Sequence, residues 1–517
     1  MSWARLAASA TAALAIGAAG CGGDDGDDTS RSAAADCPAD ARPTIDDGFP
    51  EPPVRSSEDG VLETTLRASY GPVELDGDEY ETMNYEGSVP GPTLAVCPGD
   101  RLVVNYVNDL GDTPASWDGG VAPEAHEHGE GGGHGQLINL HTHGFHVSPD
   151  GNSDNVFLEQ APGEEQTYEY DIPEDHPPGM LWYHPHRHGY SEPQVYAGLL
   201  GVIDMRGGLD VAPEIRDIPT RTMVITSTQL GDGEVVPVQK SETEKSPYFV
   251  NGELEPEIPI RPGQVQRWRI LNGNDNAIVN MRLHGHTLYV LANDGNTLTE
   301  VSPQEKLLIG PGERREVLVQ GGEEGAYELE SLPFSQFQHG RLAGSTIATM
   351  TAAGEPVDDE LPLGELPADE WEDLRDAEVD QRHKIVYTEE EVAPGQFEFL
   401  INGKTFSPDR IDQTMRLGEV NEWVLVNGSE EWHTFHIHVN DFQVTDYEAK
   451  AVPDVSTGRP QDVPEGDIDP EDTVKMPPGG KVTMRTRPTD YTGKFVFHCH
   501  MLFHEDRGMM GTVTVTD

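Results

Sequence analysis

Residues 98–108 read Pro-Gly-Asp-Arg-Leu-Val-Val-Asn-Tyr-Val-Asn, and this stretch predicts the fold. A Pro-Gly turn precedes a run that places Leu102, Val104 and Tyr106 on one side of an extended chain. A period of two predicts a β-strand with one buried face, and Pro and Gly mark the turn before it. The stretch is typical of an antiparallel β-protein.

The same arrangement occurs three times along the chain. In order, the copies are Tyr85–Pro90 with the strand 101–108, Val250-Asn251-Gly252 with Pro262-Gly263 and the strand 265–272, and Ile401-Asn402-Gly403 with Gly418-Glu419 and the strand 421–427. A repeat of about 150 residues predicts tandem homologous domains. Short alternating strands between turns favour Greek-key β-sandwiches, and no long stretch has helical periodicity.

The 517 residues are too many for one hydrophobic core, so several domains are expected. We predict a signal peptide at 1–20, an acidic Gly/Asp/Pro-rich tether at 21–54, β-sandwich domains at 55–206, 207–354 and 382–517, and an acidic linker at 355–381. One short helix is expected in the linker near Ala368–Arg375.

The chain is strongly acidic, with 92 Asp+Glu against 34 Lys+Arg and a formal net charge of −58. Such a surface repels nucleic acid and excludes it as a partner. It attracts cations, which suits a metal-handling enzyme. A solvated coat that keeps the protein soluble is the simpler explanation of the same charge.

The N-terminus predicts export. Arg5 precedes an apolar run, Leu6–Ala19, that is too short to span a bilayer. Ala18-Ala19-Gly20-Cys21 resembles a bacterial lipobox, which predicts a lipid anchor at Cys21 and a place on the outer face of the cell membrane. The alternative is an ordinary secretory signal and a secreted protein. A monomer is favoured in either case.

Four cysteines are present, and export places them in an oxidising setting. Cys37 and Cys97 form the natural disulfide pair, which would tie the N-terminal arm to the first domain. Cys499 is left unpaired, and an unpaired cysteine in an exported protein needs a reason.

Four short histidine clusters supply that reason. They are His141-Thr142-His143, His184-Pro185-His186, the segment His433–His438, and His498-Cys499-His500 followed by His504 and Met509. In a strand, residues i and i+2 share a face, so each His-x-His pair aims two imidazoles to one side. Eight such imidazoles exceed the needs of one metal ion but suit a cluster of coppers.

Cys499 points away from its two flanking histidines. A second metal on that face would use Cys499, His504, an imidazole from His433 and a weak axial thioether from Met509. One cysteine, two histidines and a distant methionine make a blue-copper electron-transfer site.

The motifs HTHG (141–144), WYHPHRHG (182–189), HTFHIH (433–438) and HCHMLFHEDRGMM (498–510) resemble the four copper signatures of the multicopper oxidases. The resemblance covers the mature chain and implies three tandem cupredoxin-like domains, with the trinuclear site between the first and third. One departure is Thr434, where the family usually has proline.

The resemblance also implies a role for each ligand, for four copper ions in all. Type 1 copper would take His433, Cys499, His504 and Met509; type 2 would take His141 and His436; the type 3 pair would take His143, His184, His186, His438, His498 and His500. Dioxygen would be the electron acceptor.

Two acids are candidate proton relays, because reduction of dioxygen to water takes up protons. Glu505 follows the ligand His504, and Asp154 lies shortly after the first His-x-His motif. The alternatives are an N-cap for Glu505 and a turn-stabilising role for Asp154.

The other histidines are not predicted to be ligands of the four coppers. His284-Gly285-His286 copies a copper pair, but it has no partners in its own domain and is expected to be structural. The segment His126–His134 could gather copper or be an insertion without a role. His146, His176 and His188 are expected beside the ligands or on the surface.

The function predicted from these residues is a copper oxidase. A pure electron carrier would need only the Cys/His/His/Met set, and a relative that has lost its metals would not keep every ligand. The donor stays open: a phenolic or aromatic molecule, as for a laccase, is the first choice. A metal ion, Cu(I), Fe(II) or Mn(II), is the second, although no Met-rich insert favours Cu(I).

Overall fold

The computed structural model describes residues 45, 47–117, 136–241, 246–336, 341–369, 371–448, 452–453, 460–461 and 469–517. Strands dominate these residues, and their sheets fall into three consecutive groups. The helices described are α1 (Ser191–Ala197), α2 (Leu502–Glu505) and three short 3-10 turns, Ala115–Trp117, Gly208–Asp210 and Val238–Lys240. The prediction of tandem cupredoxin-like β-sandwiches is confirmed.

The first group of strands forms two packed sheets. The strands are β1 (Val54–Ser56), β2 (Val61–Leu75), β3 (Asp78–Tyr85), β4 (Thr93–Val96), β5 (Arg101–Asp109), β6 (His141–His143), β7 (Glu165–Asp171), β8 (Gly179–His184) and β9 (Gly201–Met205). Their orders are β1-β4-β9-β8-β6 and β3-β2-β5-β7. Leu102, Val104 and Tyr106 of β5 face the core between the sheets, as their alternation predicts.

The second group has two larger sheets and a small ribbon. Its strands are β10 (Thr220–Ser227), β11 (Tyr248–Val250), β12 (Glu253–Leu254), β13 (Glu257–Ile260), β14 (Val265–Asn272), β15 (Val279–Leu283), β16 (Leu288–Asn293), β17 (Asn296–Gln304), β18 (Leu307–Ile309), β19 (Arg314–Gln320), β20 (Gly325–Ser331), β21 (Phe334–Ser335), β22 (Arg341–Leu342) and β23 (Ser345–Ala352). Their orders are β12-β11-β10-β14-β19-β16-β17, β13-β23-β20-β15-β18 and β21-β22.

The third group again has two main sheets. Its strands are β24 (Gln381–Ala393), β25 (Gln396–Ile401), β26 (Gln413–Arg416), β27 (Asn421–Asn427), β28 (His433–Ile437), β29 (Gln443–Glu448), β30 (Val452–Pro453), β31 (Pro460–Gln461), β32 (Thr473–Met476), β33 (Lys481–Thr486), β34 (Gly493–Cys499) and β35 (Met510–Thr516). Their orders are β25-β24-β27-β33-β29, β26-β35-β34-β28-β32 and β30-β31.

The sequence repeat corresponds to one repeated topology. In each group a strand pairs antiparallel with the next strand along the chain and parallel with the strand that follows the Gly-containing turn: β2 with β3 and β5, β10 with β11 and β14, and β24 with β25 and β27. Positive φ angles recur at the turns Glu86-Gly87, Asn251-Gly252 and Asn402-Gly403. Two consecutive positive φ values define the tight hairpin turn that Asn-Gly favours.

The helix expected near Ala368–Arg375 is wrong for the described residues of that segment. The Leu374 N–H donates to Gln443 Oε1, and Gln443 Nε2 donates to the Glu372 carbonyl. Arg485 donates to the carbonyls of Leu374 and Arg375. Side chains of the third group of strands therefore form hydrogen bonds with the backbone N–H and C=O groups of the linker, so these groups do not need the hydrogen bonds of a helix.

No helix in the described ranges has the length and apolar character needed to cross a membrane. Cys97 is disulfide-bonded. Its predicted partner Cys37, the lipobox with Cys21, and the His126–His134 segment lie outside the described residues. The predicted domain boundaries stay predictions.

Candidate metal centres

Strand pairing brings the four His-x-His pairs together between the first and third groups of strands. Antiparallel pairing of β6 with β8 sets His141 opposite His184, and pairing of β28 with β34 sets His436 opposite His498. Histidine rings of the first group of strands then stack on histidine rings of the third group. His141 stacks on His438 with centroids 3.8 Å apart, and His143 stacks on His436 at 3.7 Å.

The eight imidazoles form a continuous buried cluster. Three sets of ring nitrogens each lie within 4.8 Å of one another: His141, His143 and His436; His143, His184 and His500; His186, His438 and His498. We call these eight residues the histidine cluster. Its members come from both ends of the chain, so it exists only when the first and third groups of strands are docked.

The cluster fits metal ions because several of its buried nitrogens lack a hydrogen-bond partner. These atoms include Nε2 of His184, Nε2 of His436 and both ring nitrogens of His500. A buried polar atom without a partner is costly, so such atoms usually have a purpose. Imidazole nitrogens with free lone pairs are good copper ligands.

Burial also keeps these rings in the form that binds metal. Desolvation, and then repulsion between neighbouring rings, lowers the pKa of His141, His438 and His500 well below the ordinary value. The pKa of His184 falls to about 3, again chiefly through burial. Neutral imidazole is the ligand form, so the cluster is ready for metal at neutral pH.

A second site lies on the opposite face of β34. Cys499 Sγ is 3.6 Å from Nδ1 of both His433 and His504, and those two nitrogens are 3.0 Å apart. Met509 is fully buried in the same core, and its carbonyl accepts the Cys499 N–H. Phe399 stacks on the His504 ring at 4.2 Å.

The cysteine of this site needs a cation to ionise. Burial raises the pKa of the Cys499 thiol to about 12. Thiolate is the ligand form, so metal binding must release a proton and must strengthen as pH rises. Cys499 is the free cysteine of the described residues.

Asp154 contacts the histidine cluster on one side. Both of its carboxylate oxygens are 3.0 Å from His141 Nδ1, and Oδ1 accepts the Thr142 N–H. Oδ2 is 3.8 Å from His438 Nδ1. Burial raises the pKa of Asp154 to about 7.

Glu505 contacts the cluster on another side. Its Oε2 is 3.1 Å from His498 Nδ1, its Oε1 is 3.7 Å from His186 Nδ1, and Ser191 Oγ donates to Oε1. Burial by itself raises the pKa of Glu505. The neighbouring His186 and His498 have the opposite effect and outweigh it, so the pKa falls to about 2. Glu505 ends α2, whose N-cap is Met501, so the N-cap alternative is wrong.

Sequence reasoning missed four charged residues around these sites. Asp472 lies 3.0 Å from His143 Nε2 and accepts from Arg314. Glu431 Oε2 is 3.3 Å from His504 Nε2, and Glu389 Oε1 is 3.7 Å from His433 Nε2. Glu431 could have been suspected from its place two residues before His433. Nothing in the sequence connects His143 to Asp472, which lies 329 residues away.

The remaining predicted histidines lie outside both sites. His146 contacts Asp490 and the Val439 carbonyl, and its backbone N–H donates to His176. His188 packs on Phe406 near the cluster. His284 is exposed and His286 packs on Tyr327; within the described chain neither joins a group able to hold a metal.

The chain has three cupredoxin-like β-sandwiches and two buried sites that could hold metal ions, one built on a cysteine and one on eight histidines. This combination is typical of copper proteins. Models described as Multicopper oxidase match residues 67–130 with 134–207, 226–350, and 376–517. Together they account for most of the chain. The chain belongs to the multicopper oxidase family, and it is therefore an oxidoreductase.

Relatives of similar length include both oxidases and laccases. The chain is 24% identical over 483 residues to multicopper oxidase mco of Staphylococcus aureus, covering 89% of this chain and 90% of that protein. It is 27% identical over 523 residues to a laccase of Haloferax volcanii, covering 91% and 85%.

Solved structures share the fold. A Campylobacter jejuni multicopper oxidase, described as a metallo-oxidase, aligns with a TM-score of 0.71 at 24% identity, covering 93% of this chain and 99% of that one. The McoA multicopper oxidase of Aquifex aeolicus aligns with a TM-score of 0.72 at 19% identity, covering 92% and 100%.

Proposed function

We propose that this protein removes electrons one at a time from phenolic or aromatic donors, as a laccase does, and reduces dioxygen to water. Bound copper would supply one-electron oxidation at Cys499 and dioxygen reduction at the histidine cluster. The observation that carries the proposal is the position of Cys499, the last residue of β34, between His498 and His500. One short stretch of backbone joins the two centres.

The assignment of ligands to each copper is carried over from the family pattern, and the grouping of the ligand atoms into two buried sites supports it. His433, Cys499 and His504, with Met509 as the weak axial group, would hold type 1 copper. His141 and His436 would hold type 2 copper, and the other six imidazoles, those of His143, His184, His186, His438, His498 and His500, would hold the type 3 pair. The proposal therefore requires four ions.

Protons reach the histidine cluster, in this proposal, through Glu505 and Asp154. Both carboxylates are buried against ring nitrogens. The Ser191 hydroxyl donates a hydrogen bond to Glu505 and adds one more group to that proton path. A cavity of about 130 Å³ lies beside His186 and His188, and a larger one of about 320 Å³ lies beside Gly144 and Asp441. The smaller cavity, which His186 lines, supplies space for water next to the cluster.

Export is also proposed, with the chain either anchored through Cys21 or secreted. Its support is the sequence of residues 1–21 alone. The acidic surface supports the absence of a nucleic-acid partner.

A redox colour cycle tests the main proposal. The copper-loaded protein is expected to show an intense blue band that a phenolic donor bleaches under anaerobic conditions and air restores. The measurement is visible absorbance together with dioxygen uptake and copper content. A protein that binds copper but neither bleaches with donor nor recovers in air would contradict the proposal.

A metal-ion donor is the second candidate, and two carboxylates beside the histidines of the cysteine site favour it. Glu431 and Glu389 lie beside the Nε2 atoms of His504 and His433. Both carboxylates are largely buried, with side chains 2% and 7% exposed. Carboxylates there would attract Cu(I), Fe(II) or Mn(II) next to the rings that carry electrons inward.

Glu431→Gln and Glu389→Gln distinguish the two donors. If metal ions are the donors, kcat/KM for Fe(II) or Cu(I) should fall about tenfold or more, because a charged interaction is lost. Oxidation of an uncharged phenol should change much less. Glu390→Gln is the matched control, since Glu390 is the exposed neighbour of Glu389 on β24. Equal losses with both donors would reject the metal-ion role.

A further inference from the structure

Arg314, at the start of β19, lies where the three groups of strands meet. Its guanidinium is fully buried. Nη1 and Nη2 donate to Oδ1 and Oδ2 of Asp472 at 2.9 and 2.7 Å, which is a bidentate pair. Nε donates to the Met180 carbonyl, and Nη2 also donates to the Asp294 carbonyl. One side chain of the middle group thus binds elements of the first and third groups.

The carboxylate that Arg314 holds contacts histidines from both halves of the cluster. Asp472 Oδ1 is 3.0 Å from His143 Nε2 and 3.7 Å from His436 Nδ1. The Asp472 backbone carbonyl is 2.8 Å from that same His436 Nδ1. The Thr473 hydroxyl donates to Oδ1 as well. Asp472 is therefore shared by a ring of the first group and a ring of the third.

These contacts decide which nitrogen of each ring faces the cluster. A neutral imidazole carries one proton, and a carboxylate that already pairs with a guanidinium can only accept it. The His143 proton is therefore held on Nε2, toward Asp472, and the lone pair lies on Nδ1. Nδ1 of His143 and Nε2 of His436 are buried atoms without a hydrogen-bond partner, as ligand atoms should be.

The side chains around Arg314 and the histidine cluster are tightly packed against neighbouring glycines. A Cβ added at Gly144, the residue after His143, would lie 2.5 Å from Arg314 Nη2 and 2.8 Å from Asp472 Oδ2. A Cβ at Gly312 would lie 3.1 Å from the His500 ring. The middle group is therefore packed directly against the histidine cluster, although it supplies none of the cluster's rings.

We propose that Arg314 is a positioning residue for the trinuclear copper site: it fixes Asp472, and Asp472 orients the His143 and His436 rings of the two half-sites. This inference rests on the proposed function. The middle group then acts as a clamp that sets the registry of the first and third groups of strands. Hydrogen-bond partners of metal-bound histidines affect metal affinity strongly in other proteins.

Arg314→Lys and Asp472→Asn test the clamp in the full-length protein. Lysine keeps the charge but loses the planar fork. Asparagine keeps the size of Asp472 but not its charge, so it is the safer variant for folding. Both are expected to weaken copper binding at the histidine cluster by about 10- to 100-fold. The type 2 electron paramagnetic resonance signal should be altered or lost, and the blue band should remain.

Arg269→Lys is the matched control. Arg269 is equally buried and joins Asp204 of the first group to Glu316 of the middle group, so its ion pairs bridge two groups of strands without involving Asp472. Full copper loading with an unchanged type 2 signal in both test variants would overturn the inference. An equal loss in Arg269→Lys would also overturn it, because general destabilisation would then suffice. Failure of the unaltered protein to load the cluster would instead overturn the proposed function.

Discussion

Replacement of Cys499 by serine is expected to abolish the blue colour and reduce donor oxidation to background. Cys499 Sγ lies 3.6 Å from Nδ1 of both His433 and His504, so the three atoms could bind one metal ion. The intense colour of a blue-copper site depends on the thiolate, and a hydroxyl is a poor substitute for it. His498 points to the other face of β34, and His500, which follows the strand, belongs to the same histidine cluster, so the cluster should still load.

The Cys499→Ser measurement combines visible absorbance, copper content and steady-state oxidation of a phenol. We expect the loss of one of the four proposed coppers and retention of the type 2 signal. Met509→Leu is the matched control at the same site: a weak axial ligand tunes the potential but is not the source of the colour, so the blue band should persist. An intense blue band in Cys499→Ser would show that this assignment is wrong.

Replacement of Glu505 by glutamine is expected to leave the blue colour and slow the reaction with dioxygen by about 100-fold or more. The carboxylate lies within 3.7 Å of two rings of the cluster and accepts a hydrogen bond from Ser191. Glutamine keeps the size and the acceptor oxygen but cannot take up and release a proton. Electron uptake at Cys499, on the other side of β34, should be unaffected.

The Glu505→Gln variant is best followed by reducing it anaerobically and timing its reoxidation by dioxygen in a stopped-flow mixer. Without the relay, protons must come from solvent, so the rate should fall more steeply as pH rises. Glu192→Gln is the control, because Glu192 is a buried neighbour that pairs with Arg507 and contacts none of the cluster's rings. Reoxidation at the normal rate in Glu505→Gln would remove Glu505 from the proton path.

Much of the fold followed from local patterns. The alternation at 101–108 and the turns Glu86-Gly87, Asn251-Gly252 and Asn402-Gly403 identify strands and hairpins, because both depend on residues within one turn or strand. The short helix expected in the linker was wrong for the opposite reason. Contacts from Gln443 and Arg485, far away in sequence, satisfy that backbone and override its local preference.

Some features of the candidate sites could likewise be predicted from local sequence, and others could not. The sequence alone placed two rings on one face at each His-x-His motif and placed Cys499 on the face opposite its neighbours, since side chains alternate along any strand. Only the tertiary structure decided that Asp472 and Arg314 lie against His143, and that Glu431 and Glu389 border the cysteine site. The contacts of Asp472 with His143 and Arg314 arise from the docking of separate β-sandwiches, and those of Glu431 and Glu389 arise from packing within the third group of strands. No local spacing in the chain encodes either kind of contact.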